Sequence, residues 1–171
     1  MRADLPYTHI EEAHLLESAG FATLLTIELL DPVVIAAMSA SVFLRFSSFQ
    51  VVTWQGHTFE AVPFSLSGMG SNSSGEVVRP KLSLPNASGA FSMYGHQGWL
   101  NNALVTRQLV LKDDLDGDIN SFSQKSWRVS KILNISKTLI ALELRGIFDG
   151  HSFKLPPRAY FPPEFPSVSL R

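Results

Sequence analysis

Beyond Val42 the apolar and polar positions of this chain repeat with a period of two. Val78, Pro80, Leu82 and Leu84 alternate with Arg79, Lys81 and Ser83, and Ile140, Leu142 and Leu144 alternate with Ala141, Glu143 and Arg145. Successive side chains of a strand point to opposite faces, so the pattern predicts strands with one face buried. Thr53, Trp54, Thr58 and Phe59 suit a pleated surface and flank Gln55-Gly56. Glycine accepts positive φ, so that dipeptide predicts a tight hairpin turn. A second hairpin is expected where Asn134 to Lys137 separates Trp127–Leu133 from Thr138–Arg145.

The N-terminal portion reads differently. Thr8 with Glu11 three residues later forms a capping box, and Ile10, Ala13, His14 and Glu17 follow at helical spacing as far as Gly20. The spacing predicts a helix over 9–18 with Leu15 and Leu16 on its buried side. Phe21–Leu30 reads as a strand buried in part on both faces, ended by Asp31-Pro32. Residues 33–40 fit either a short helix or an extension into a strand at Val42–Phe46, and periodicity cannot arbitrate so short a run. The Gly/Ser/Asn stretch at 68–75 reads as a mobile loop. Pro156, Pro157, Pro162, Pro163 and Pro166 cannot continue a ladder, so the last residues are expected to run extended over another surface.

The fold expected is mainly β: a single β-barrel or sandwich-like domain over 21–155. It is preceded by a segment at 1–20 with a short N-terminal helix and followed by an extended Pro-rich C-terminal arm at 156–171.

Composition narrows the partners. The 171 residues are 45% hydrophobic and 17% charged, which excludes a disordered chain and leaves a surface poor in charge. A net charge of −1 provides no basic footprint for a phosphate backbone, so no nucleic-acid partner is expected. Zero cysteines exclude disulfides and thiolate metal sites within these residues. The opening Met1-Arg2-Ala3-Asp4 reads as no secretory signal, and no apolar run approaches the ~20 residues of a membrane helix, so no membrane partner is expected.

Local signatures of chemistry fall short. Asp113, Asp114, Asp116 and Asp118 suggest calcium, but an EF-hand loop started at Asp114 meets glycine at the fourth place and Lys125 at the twelfth. The run reads instead as a solvated turn with positive φ at its Asp-Gly. His9 and His14 are five apart, where a zinc-binding helix needs four, and read as exposed helix residues; His57, His96 and His151 read as loop residues. Leu66-Ser67-Gly68 lacks the first glycine of a nucleophile elbow. The Asn-x-Ser tripeptides at Asn72, Asn86 and Asn134 are common by chance. No catalytic residue, cofactor or metal is assigned, and the chain is expected not to be an enzyme. Trp54 and Trp127 are expected in the core. Tyr160, Phe161 and Phe165, kept out of a sheet by the surrounding prolines, are interface candidates, as are Met69 and Asn72 in the 68–75 loop.

Several of these features also carry a family resemblance. A Trp54-Gln55-Gly56 turn, an aromatic residue and Pro63 after it, a Gly-rich break, and Arg79-Pro80-x-Leu82-x-Leu84 with Asn86 resemble the minor tail protein L family of lambda-like long-tailed phages. Leu104-Val105-Thr106-Arg107 before Leu111, Phe122 with Trp127-Arg128-Val129, and Leu155 to Phe161 follow in the order of that family. The resemblance implies a structural part of the tail tip, a hub that joins the tail tube or distal tail ring protein to the central fibre or spike proteins. It implies a homotrimer in the virion, made in the host cytoplasm and acting by assembly. It also implies a cysteine-rich C-terminal part that binds an iron-sulfur cluster; with no cysteine here, the expectation is a shortened relative or a separate chain supplying that part. Two other readings stay open: a β module binding glycans or a host surface through exposed tryptophans, and a tail-associated cell-wall hydrolase.

Overall fold

A computed structural model of the chain describes residues 9–11, 20–29, 43–70, 79–87 and 89–149. Among these described residues nine strands form one sheet: β1 Phe21–Glu28, β2 Phe43–Ser47, β3 Val52–Trp54, β4 His57–Ala61, β5 Ser65–Ser67, β6 Lys81–Pro85, β7 Leu104–Leu111, β8 Ser123–Ile135 and β9 Leu139–Gly146. Short helices interrupt the described strands at α1 Ala90–His96 and α2 Lys112–Asp116. The strand order is β3-β4-β2-β1-β7-β8-β9-β6-β5, antiparallel except where β2 meets β4. The mainly β fold matches the alternation of the sequence. His9–Glu11 are helical as expected, whereas the rest of the 9–18 helix, the 33–40 segment, most of the 68–75 loop and the Pro-rich arm lie outside the described residues.

The connection between β4 and β5 dictates the sheet's curvature. Those strands stand second and ninth in the order, yet only Val62-Pro63-Phe64 joins them. Seven strand spacings on a flat sheet would span about 33 Å, whereas the chain from Ala61 to Ser65 reaches at most about 14 Å. The sheet therefore curls until its two ends approach, and Val62, Phe64 and Leu66 pack on the core enclosed in between. Among the described residues no hydrogen-bonded pairing joins the two ends, so the sheet is barrel-like but open.

The enclosed core comes from alternate residues of six strands, with Leu25, Ile27, Phe46, Leu82, Leu84, Val105, Val129, Ile140, Leu142 and Leu144 all buried. Two register shifts in β8, at Val129/Lys131 and Ile132/Asn134, keep Val129, Ile132 and Ile135 opposite Leu144, Leu142 and Ile140. Without these bulges a strand this long would rotate its apolar set out of the core.

Helix α1, which the alternation did not suggest, closes this core. Phe91 meets Phe46 edge-on at 5.6 Å, and a Cβ on Gly95 would lie 2.6 Å from Cδ1 of Ile135, so glycine permits the close approach. Asn86, 1% exposed, holds the helix in place. Its Oδ1 accepts from the Phe91 N–H at 3.1 Å, and its Nδ2 donates to the Ser136 carbonyl at 2.7 Å and to Ser92 Oγ at 2.8 Å. A side chain so committed explains why Asn86 closes the Arg79-Pro80-x-Leu82-x-Leu84 motif. In that motif Leu82 and Leu84 are fully buried and the Pro80 carbonyl accepts from the Leu144 N–H.

Candidate functional site

β1 is buried on both faces, as its sequence suggested: Leu25 and Ile27 enter the enclosed core, while Ala22 and Leu24 face outward. The outer pair is covered by the β3–β4 hairpin, through Val52, Trp54 and Phe59, together with Leu115 of α2 and Phe122. The hairpin is thus a second layer laid on the outside of the curled sheet.

Its turn is built as the sequence predicted, with Gln55 at φ 50° and Gly56 at φ 73°, both left-handed. What the sequence did not reveal is what the turn grips. The Gln55 N–H donates to Asp118 Oδ1 at 2.6 Å, its side-chain Nε2 donates to the Asp118 carbonyl at 2.8 Å, and the Trp54 indole N–H donates to the Ile119 carbonyl at 3.2 Å. Trp54 also stands edge-on to Phe122 at 5.4 Å. The Trp-Gln-Gly turn is a latch onto the loop that follows α2.

That loop corrects the expectation for the acidic run. Asp113 to Asp116 lie in a helical turn, Gly117 keeps φ −82°, and Asp118 takes the positive φ of 51°. His9 is corrected as well: it is 4% exposed and packs edge-on against Phe21 at 5.3 Å rather than facing solvent. Phe21 begins β1 and offers an apolar ring that sequence spacing alone did not connect to the helix.

Between the hairpin and the outer face of β2, β1 and β7 runs a groove of about 260 Å³. Its floor is Thr26, Arg45 and Gln108; its walls are Phe43, Trp54, Gln55, His57, Phe59, Asn120 and Phe122. Arg45 lies over the Phe43 ring at 4.9 Å, so its charge is presented against an aromatic face. β2 and β4 pair only at Phe46–Glu60 and Ser47–Ala61, and where they splay a smaller cleft of about 200 Å³ opens, lined by Phe43 to Phe46, Thr58 and Glu60. Planar donors framed by aromatic walls suit a polar side chain of another molecule. Among the described residues, no group of three or more His, Asp or Glu side chains is placed to hold a metal.

On the opposite part of the sheet, Glu143 is buried on the outer face between Arg79 at 3.1 Å and Lys131 at 3.5 Å. The hydrogen bond from Arg79 holds its carboxyl below the usual glutamate range; burial opposes this and Lys131 adds to it.

Of the interface candidates, Met69 is half-buried and its Sδ accepts from Arg107 Nη1 at 3.4 Å. Tyr160, Phe161, Phe165 and Asn72 lie outside the described residues. No tryptophan is exposed: Trp54 is in the outer cluster, and Trp99 and Trp127 pack on the inner core. The groove residues Phe43 and Arg45 escaped the sequence reading, because only the outer placement of the hairpin brings them to Trp54.

The family model described as phage minor tail protein L matches residues 40–159. No curated protein matches the chain. Among solved structures, a chain of the virion of a native gene transfer agent particle is similar, with a TM-score of 0.58 and 16% identity. The likeness covers 92% of this chain and 50% of that one, so the chain spans about half the length of that structure.

Proposed function

We propose a structural role at the tip of a phage tail, from one premise: the chain belongs to the phage minor tail protein L family. The tail role follows from the family, whose match extends over residues 40–159 and so over most of the β-domain. The finer reading is that the domain acts as a hub joining the tail tube or distal tail ring protein to the central fibre or spike proteins, as a homotrimer and by assembly rather than catalysis. What supports it is the outer layer. A hairpin latched onto the curled sheet leaves a groove walled by Phe43, Trp54, Phe59 and Phe122, with Arg45 on its floor. Aromatic residues and arginine are the side chains that dominate protein interfaces.

In this reading Met69, Asn72, Tyr160, Phe161 and Phe165 reach neighbouring subunits. The test is localisation in intact particles. Density for the curled domain at the tail tip, around the tail axis, would support the hub; density confined to the tube or head would refute it. Deleting Pro156–Arg171 is expected to leave the domain folded by circular dichroism yet keep it out of particles, and loss of folding would remove the arm's assembly role.

A further inference from the structure

We propose that Arg128 and Arg145 form a receptor for a carboxylate presented by an acidic segment of a neighbouring protein. The two are directly opposed on β8 and β9, on the outer face of the sheet. Like charges facing each other across a ladder disfavour the pairing, and among the described residues neither arginine forms an ion pair. Both ion pairs among the described residues belong to Glu143. The acid in the same transverse row, Glu28, is opposite Leu104, which is opposite Arg128, so it stands two strands away, about 10 Å.

The arginines are nevertheless held in place. Asn102 Oδ1 accepts from Arg145 Nη2 at 2.9 Å, and the Asn102 carbonyl accepts from Arg128 Nη1 at 3.3 Å. Asn102 does this from a left-handed backbone, φ 61°, fixed by its N–H to the Val129 carbonyl at 3.2 Å. Both residues are half-buried with their bonds to Asn102 exposed to solvent, and Arg145 Nε is buried without a hydrogen-bond partner. The other opposed cation pair, Arg107 and Lys125, differs, because Lys125 is exposed and Arg107 turns to Met69. Two fixed guanidinium forks with donors to spare match a carboxylate, which accepts two parallel N–H bonds.

The neighbourhood favours a protein carboxylate over a nucleic-acid phosphate as the anion received. Ile147 and Phe148, 40% and 72% exposed, directly follow the strand end beside Arg145, and the chain as a whole is slightly acidic. An arginine pair beside an exposed aromatic residue is the composition of an interface centre, whereas phosphate backbones call for a broad basic stripe. The inference stands on this pair alone and does not depend on where in a tail the protein sits.

The test titrates the full chain with a short acetylated Asp/Glu peptide, reading the Arg Nε–H resonances and calorimetric affinity, with inorganic phosphate and a single-stranded oligonucleotide as competitors. Saturable peptide binding is expected, weakened about tenfold or more by Arg128→Gln with Arg145→Gln, and weakened again between about 50 and about 500 mM salt. Asn102→Gly keeps every charge and suits the left-handed backbone, yet frees Arg145, and is expected to weaken binding by about threefold. Arg79→Gln, outside the pair, is expected to leave it unchanged. Absence of peptide binding, equal binding by the folded double variant, or tighter binding of phosphate or the oligonucleotide would each overturn the proposal.

Discussion

The enclosed core and the outer layer are held together by different means. Inside the curl, buried leucine, isoleucine and valine side chains from six strands interdigitate, and no single turn decides their positions. Outside, a smaller cluster depends on one hairpin being held at the correct angle by Gln55, Trp54 and Asp118. The first is expected to open only as one unit, whereas the second, resting on few contacts, is expected to loosen alone.

The largest expected effect comes from striking the inner core. Leu142→Ala should cost about 3 kcal/mol and lower the denaturant midpoint of the whole domain, because a fully buried leucine leaves a cavity that neighbouring strands cannot close. Next is Asn86→Ala, expected at about 2 kcal/mol since it strands the Phe91 N–H and the Ser136 carbonyl. Hydrogen exchange should then quicken in α1 and the β8–β9 turn first.

Trp54→Phe sharpens the contrast. It keeps an aromatic ring but removes the donor to Ile119, at an expected cost of about 1 kcal/mol. Exchange should rise in β3 and β4 while β7, β8 and β9 stay protected; equal loss of protection everywhere would mean that the two layers are one cooperative unit. The smallest effect belongs to Glu143→Gln, under about 1 kcal/mol because Arg79 and Lys131 are largely exposed. The carboxyl of Glu143 is depressed in the fold, so its contribution is present above the unfolded glutamate value of about 4.3 and lost as pH falls through the lower folded value. Urea midpoints followed through that acidic range should converge for wild type and variant.

Legibility in the sequence followed the range of the interaction. The Gln55-Gly56 turn, the apolar character of both faces of β1 and the alternating faces of β6 and β9 were readable, because each is written in the pattern of a few consecutive residues. The groove was not, since Phe43 and Arg45 meet Trp54 only after the hairpin folds over the sheet. Nor was the arginine pair, because Arg128 and Arg145 become neighbours through a register that two bulges in β8 have already shifted.

By itself, then, the order of residues determined that strands would form, which face of each would be apolar and where the chain would turn, because period-two alternation and left-handed turn residues act locally. Tertiary structure alone decided what each apolar face would meet. The short reach from Ala61 to Ser65 forces the curl, the latch from Trp54 and Gln55 to the 118–119 loop fixes the outer layer, and cross-strand register brings two cations together. A polar-apolar pattern states that a surface must be covered; only the three-dimensional fit of distant segments selects the cover.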